Sequence, residues 1–391
     1  MADDDSTVPT TTRELRSTVD EDGRVTLAVR EADVAAPGPD EVTVRIEAAP
    51  INPSDLGMLF AGADASTAEA TGTDELPAVT LTIPTGTSGQ EGRLGRAMPT
   101  GNEGGGTVVA AGSSDAAQAL LGKVVGFLSG SSYAEYRTVP VASCLAMHDG
   151  TDPQDAAACF VNPLTALGMV ETMRREGHSG LIHTVGASNL GQMLNRICLA
   201  DDVPLVNVVR RPEQVELLRE QGAHHVVDSS AESFRDDLAD ALRATGATIA
   251  FDAIGGGELA SDLLTAMERV LSEGDEFSRY GSSTHKQVYV YGGLDRGPTV
   301  LRRNYGMSWS VGGWLLTPFL VEIGQEKADA LRTRVADEIT TTFASSYGMR
   351  VTLDEAVDPT HVERYARMST GDKALVTPHG STAGDATDGE G

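Results

Sequence analysis

The chain has 391 residues, long enough for two domains with cores of their own. Its 57 acidic against 30 basic residues give a formal charge of −27, which repels a phosphate backbone and argues against a nucleic-acid partner. Three cysteines (Cys144, Cys159 and Cys198) in no paired spacing exclude a disulfide framework and fit a reducing cytosol.

No basic stretch followed by an apolar one opens the chain, so no secretory signal is expected. No apolar run reaches the roughly 18 residues of a membrane span, so a cytoplasmic protein without a membrane partner is expected. Residues 1–12 are acidic and Thr-rich and are expected to be disordered, as is the tail 379–391. Residues 24–30 and 41–48 alternate as short strands, separated by the turn Pro37-Gly-Pro39. Residues 61–100 are rich in Gly, Ala and Thr and show no convincing period; such a stretch reads as a lid or as disorder. Residues 101–109 run from a glycine turn into a strand, and 122–128 and 132–139 complete a β-rich region.

From residue 155 strands and helices alternate, which predicts a parallel, doubly wound sheet. The helices are expected at 213–221, 231–244 and 259–271, and the strands at 225–228, 247–253 and 287–291. Residues 307–320, with Trp309 and Trp314, read as a last strand and as the surface of a homodimer, or as an ordinary edge element. Residues 322–338 read as a helix, and 350–353 and 374–377 as strands returning to the first domain. The expected domains are 13–154 together with 335–378, and 155–334.

The run from Leu181 to Cys198 organises the second domain. Residues 180–184 read as a buried strand, 186–191 as a tight turn and 192–200 as a helix, with a second apolar strand at 205–209. This βαβ unit is about 30 residues long, as a dinucleotide fingerprint requires. The turn is Gly186-Ala187-Ser188-Asn189-Leu190-Gly191. Gly186 can take the tight bend and Gly191 lets the helix pack on the strand, while Ser188 stands where a second glycine normally admits a pyrophosphate. The phosphates would then lie on the helix N-terminus, where free N–H groups and the dipole favour anions. Leu190 removes the last glycine that a serine nucleophile elbow needs. The second strand ends in Arg210-Arg211, where an NAD site usually carries an acidic residue for the ribose 2′-hydroxyl. Arginine matches a 2′-phosphate bidentately, so NADP(H) is the expected cofactor; the alternative is a solvated pair opening the next helix.

Together the pieces resemble the medium-chain dehydrogenase/reductase superfamily, in its zinc-free branch of quinone oxidoreductases and 2-enoyl thioester reductases. The motifs are Ile51-Asn-Pro-Ser-Asp55, Gly101-Asn-Glu-Gly104, Ser132-Tyr-Ala-Glu-Tyr136, Asn162-Pro-Leu-Thr-Ala166, the 186–191 turn, Asn207-Val-Val-Arg210 and Gly371-Asp-Lys-Ala-Leu-Val-Thr-Pro378. They cover residues 24–378 except the 64–100 segment. The resemblance implies an α/β fold: a Rossmann doubly wound parallel sheet plus a β-rich GroES-like catalytic domain made from both ends of the chain. It places the cofactor in the cleft between them. It also implies that Asn52, Asn162 and Thr165 line the nicotinamide pocket, with Asn52 and Thr165 as the catalytic candidates. Asp252, Ala253, Ile254 and Gly255 would border the cofactor, as would Tyr291, Gly292 and Gly293; Lys373 comes with the last motif as a cofactor contact. Each has a plainer reading: Asn52 as a turn former before Pro53, Thr165 as a helix cap or core contact, 255–257 as a flexible turn. His183 reads as a packed core residue.

The zinc-binding branch holds its catalytic metal with two cysteines and a histidine. Here Asn102 stands in the histidine's place, the 51–55 motif has no cysteine and the four-cysteine loop is missing, so no metal is expected. The expected activity is NADPH-dependent reduction of a small-molecule electron acceptor, a quinone or an activated alkene. A 2-enoyl thioester reductase, or a redox sensor that binds NADPH without useful turnover, are the alternatives. In both related enzyme groups a tyrosine lies eight residues after the Asp of the Asn-Pro-x-Asp motif; here that position is Ala63, and no tyrosine occurs between Phe60 and Ser132.

Overall fold

The computed structural model describes residues 8–380 except 88, 275 and 277. The expected tails at 1–7 and 381–391 lie outside the described residues. The described residues divide into two compact units, one running to Val161 and resuming at Arg334, the other Asn162–Thr333. The divisions fall at 161/162 and 333/334, against the 154/155 and 334/335 read from the sequence.

The first unit is built on two sheets. One is antiparallel, in the order Asp64–Ala70, Ala78–Thr82, Arg24–Asp33, Thr11–Val19, Met98–Pro99. Its centre is the period-two strand Arg24–Asp33, which buries Val25, Leu27 and Val29. Two expectations are corrected here. Thr11 and Thr12 pair with Asp33 and Ala32, so the strand begins inside the segment expected to be disordered. The 61–100 segment is no structureless lid: Ala78–Thr82 pairs with Arg24–Asp33, and Asp64–Ala70 pairs with Ala78–Thr82. The second sheet runs Cys144–Ala146, Val124–Leu128, Glu103–Ala111, Glu41–Pro50, Ala374–Val376, Met349–Val351, with Tyr136–Pro140 also on Glu41–Pro50. The two C-terminal strands therefore join the N-terminal sheet.

The second unit holds a parallel sheet in the order His225–Asp228, Leu205–Val209, Leu181–Thr184, Ile249–Asp252, Lys286–Val290, Trp309–Gly313. Numbered along the unit this is 3-2-1-4-5-6, the doubly wound dinucleotide-binding order, with its switch point between Leu181–Thr184 and Ile249–Asp252. The expected α/β class is borne out. Several boundaries differ. Helix Phe234–Thr245 starts later than expected. The apolar 307–320 stretch splits into strand Trp309–Gly313 and the start of helix Leu316–Ile323, and Gly324 separates that helix from Gln325–Asp337. Lys286, fully buried in its strand, pairs with Glu268 at 2.7 Å; Glu268 also accepts from Ser272 Oγ and Ser282 N, so the buried charges are paired and hydrogen-bonded. No helix among the described residues is long and apolar enough to cross a membrane.

Candidate functional site

The second unit carries the dinucleotide-type turn. Leu181–Thr184 is buried throughout, and the chain leaves it at Val185 with φ +55°. That left-handed geometry costs a side-chain-bearing residue about 1–2 kcal/mol, and more is asked of a β-branched one. A Cβ on Gly191 would lie 2.2 Å from the Gly186 carbonyl oxygen, so only glycine lets the helix start pack on the bend. Ala187 is buried against Val209 and Leu218. Ser188 differs from its expected role as a substitute glycine. It is the N-cap of helix Asn189–Ala200, and its Oγ accepts from Gly191 N at 3.0 Å. One first-turn N–H is thereby taken; the helix dipole still favours an anion at this end.

At the switch point the Asp252 carboxylate accepts from Thr184 Oγ1 (3.0 Å), Ile254 N (2.9 Å) and Gly255 N (3.1 Å), while Ala253 N donates back to Thr184 Oγ1 at 2.8 Å. Asp252 is thus a brace between the two strands that flank the crevice. Gly255–Gly257 pairs in parallel with Asp295–Thr299, which makes it a short strand and not the free turn of the plainer reading. A Cβ on Gly292 would come 2.7 Å from the Ala253 carbonyl oxygen, and Gly293 is exposed. Tyr291, just after Lys286–Val290, bonds through its hydroxyl to His183 Nε2 at 2.8 Å. His183 is fully buried, and burial pushes its imidazole down to about 3, so the ring is neutral.

Arg210 and Arg211 are exposed at the end of Leu205–Val209. Arg210 N donates to Gln214 Oε1 at 3.1 Å, and Arg211 pairs with Glu213 at 3.7 Å. Asn162 and Thr165 are the second and fifth residues of helix Val161–Arg175, three apart and both buried. Thr165 is therefore inside the helix and is not its cap.

The first unit carries a buried polar cluster. Asn52 caps helix Pro53–Phe60; its N–H donates to Asp55 Oδ2 and its Nδ2 to Glu103 Oε1, both at 2.8 Å. Asp55 Oδ1 accepts from Asn102 N at 2.8 Å, so one carboxylate ties the 51–55 motif to the 101–104 motif. Glu103 Oε2 accepts from Phe160 N and Val161 N, each at 2.9 Å. Asn52, Asp55 and Glu103 are essentially without exposed surface. Burial raises Asp55 to about 7 and also raises Glu103, against the pull of Lys373 and the N–H donors. Burial lowers Lys373 to about 8, and the two carboxylates oppose that shift. Lys373 Nζ is buried without a hydrogen-bond partner among the described residues and sits 5.5 Å from the centroid of the Tyr347 ring. Tyr133, fully buried, donates from its hydroxyl to the Pro50 carbonyl at 3.1 Å. Ala63, in the place of the absent tyrosine, packs partly buried against the hydrophobic core.

Asn102, where a zinc-binding relative has histidine, donates from Nδ2 to Ser54 Oγ at 3.1 Å. Among the described residues no group of three or more His, Cys, Asp or Glu could hold a metal ion. Sequence reading passed over Asp55, Glu103 and Tyr133 as site members. The signal that could have found Glu103 is a lone carboxylate inside the glycine run 101–106, where the chain enters a strand.

No family model matches the chain. A rat relative, the synaptic vesicle membrane protein VAT-1 homolog, is 27% identical over 259 residues, which are 64% of this chain and 56% of that protein. The chain thus spans little more than half the length of the curated relatives it first matches. Among solved structures, a Mesorhizobium loti protein assigned as an NADPH:quinone reductase is 25% identical with a TM-score of 0.71, covering 95% of this chain and all of that one. A Candida tropicalis enoyl thioester reductase, in a mutant form, has the same fold at 20% identity and TM-score 0.64, covering 95% and 100%.

Proposed function

From the resemblance to the zinc-free branch of the medium-chain dehydrogenase/reductase superfamily, which these neighbours bear out, we propose that the chain is an NADPH-dependent oxidoreductase acting on a quinone or an activated alkene without a metal. The observation that carries the reading is the turn from Leu181–Thr184 into helix Asn189–Ala200, at the switch point of a 3-2-1-4-5-6 sheet. The residues present fit a dinucleotide. Gly186 and Gly191 let the bend and the helix start pack without a Cβ clash, which supports a diphosphate at the helix N-terminus. Arg210 and Arg211 are exposed at the end of strand Leu205–Val209, where no acidic residue stands, which supports a 2′-phosphate there. Tyr291, Gly292 and the 252–255 brace would border the cofactor, with Lys373 as a further contact.

When bound, the cofactor supplies the hydride. The protein's part is to orient the acceptor and to offset the negative charge that develops on it. Asn52 and Thr165, with Asn162, are proposed for orientation. Position 63 offers no acid, since it is alanine. General acid help typically contributes 10²–10⁴-fold, so acceptors whose reduced form needs little protonation help should be favoured.

Stopped-flow oxidation of NADPH by purified protein, with metal content measured on the same sample, tests both halves. The expected result is kcat/KM for 1,4-benzoquinone above that for crotonyl thioester, with no activity lost on chelation. Faster reduction of crotonyl thioester than of every quinone or enone would promote the enoyl thioester reductase. One tightly held zinc per chain with activity lost on chelation would refute the metal-free mechanism. Absence of turnover with every acceptor would leave an NADPH-binding sensor.

A further inference from the structure

We infer that Glu103 is a positioning residue for Asn52: its buried carboxylate fixes which way the Asn52 side-chain amide faces and joins that amide to the backbone at Phe160 and Val161. The inference rests on the proposed role of Asn52 in orienting the acceptor. A primary amide has two nearly isosteric ends, one donor and one acceptor, and packing alone does not choose between them. An ionised carboxylate only accepts, so the nitrogen of Asn52 must face Glu103 Oε1, 2.8 Å away. The backbone of Asn52 is held separately, by Asp55 Oδ2. Residue 52 is thus held at three points: Asp55 Oδ2 takes its N–H, the Asp55 N–H donates to its side chain as the other half of the capping box, and Glu103 takes its Nδ2.

Glu103 cannot itself rotate away. Its Oε2 takes two backbone N–H groups, at Phe160 and at Val161, the first residue of helix Val161–Arg175. With Gln at 103 the single remaining oxygen would stay on those two immovable donors. The new NH2 would then meet the Asn52 nitrogen, donor against donor, and the Asn52 amide would turn away from Glu103 and lose its capping contact with the Asp55 N–H. Glu103→Asp keeps an acceptor-only group on a shorter stem.

The test uses full-length protein selectively labelled with 15N-asparagine. The Asn52 side-chain NH2 signal is identified by its loss in Asn52→Ala. In the wild type one of its protons is expected downfield, as a bond to a carboxylate requires. Glu103→Gln should move that signal upfield and lower kcat for 1,4-benzoquinone about 10- to 100-fold, the range a misplaced orienting group can cost. The Kd for NADPH, read from its fluorescence, should stay as in the wild type. In an Asn52→Ala background Glu103→Gln should lower kcat no further. An Asn52 signal that is ordinary in the wild type or unmoved in Glu103→Gln overturns the inference. So does an equal kcat loss in both backgrounds. If Glu103→Gln does not fold, Glu103→Asp decides: a displaced signal with lowered kcat supports the inference, and wild-type values for both overturn it. Unchanged kcat in Asn52→Ala alone would remove the catalytic role of Asn52, while the NMR signal would still report whether Glu103 turns the amide.

Discussion

The preference for NADPH over NADH can be divided between two adjacent arginines. Arg210 offers its guanidinium from an exposed position, with its backbone already fixed by Gln214. Arg211 pairs with Glu213 at 3.7 Å, with 48% of the arginine side chain and 66% of the glutamate exposed. A charge-assisted bond to a phosphate contributes about 1.5–3 kcal/mol. Arg210→Ala should therefore weaken NADPH binding about 10- to 150-fold. Arg211 must first give up an exposed ion pair of about 0–1 kcal/mol, so Arg211→Ala should cost less. NADH lacks the 2′-phosphate and should bind both variants as it binds the wild type. The assay is a fluorescence titration of each cofactor at low and at high salt, since screening should shrink the NADPH effect alone. Parallel losses for the two cofactors, or a larger loss from Arg211→Ala than from Arg210→Ala, would refute the reasoning.

Two further outcomes follow from local geometry. Val185→Gly removes a left-handed side-chain-bearing residue, a relief of about 1–2 kcal/mol, against about 0.5–1 kcal/mol for the entropy of glycine and part of the roughly 1.5–3 kcal/mol of a buried valine, the side chain being half-buried; thermal melting should show the variant close to the wild type, and a drop in Tm equivalent to about 3 kcal/mol or more would contradict the strain. Among the described residues strand Trp309–Gly313 pairs on one side only, with Lys286–Val290, and Met307, Leu315 and Val321 nearby in sequence are well exposed. An unprotected edge with apolar neighbours argues for a homodimer, and light scattering at micromolar concentration should give twice the chain mass; a monomer mass would count against it.

What could be read from the sequence followed the hydrophobic pattern. The βαβ unit at 180–209 was legible because Leu181, Ile182, Val206 and Val208 are apolar strand positions and Met193, Leu194, Ile197 and Cys198 form one helix face. Strand Thr11–Val19 was not, because its buried positions include Thr12, Glu14 and Ser17 beside Leu15 and Val19. Glu14 is tolerated there by its ion pairs with Arg16 and Arg137, the second 123 residues away and outside any local window. Asp64–Ala70 hides for another reason: none of its small Ala, Ser and Thr side chains is fully buried, and pairing with Ala78–Thr82 makes it a strand. In the site, the glycines, Ser188 and the arginines stood out as a motif. The Asp55 and Glu103 clamps did not, because each is defined by hydrogen bonds to residues 47 and 57 positions away.

The chain contains only four lysines. Lys286 is sealed in the sheet against Glu268, and Lys373 keeps its amine away from solvent. Lys327 holds Glu171 at 2.6 Å with half its side chain exposed, which leaves Lys123, among the described residues, as the one exposed lysine without an ion pair. Amine-directed reagents therefore have, besides the α-amino group, one open target and one partly engaged one. A dye or a surface linker introduced through lysine would attach mainly at Lys123, giving a nearly uniform orientation without engineering. Lysine cross-linking, for the same reason, would report almost nothing about what this protein touches.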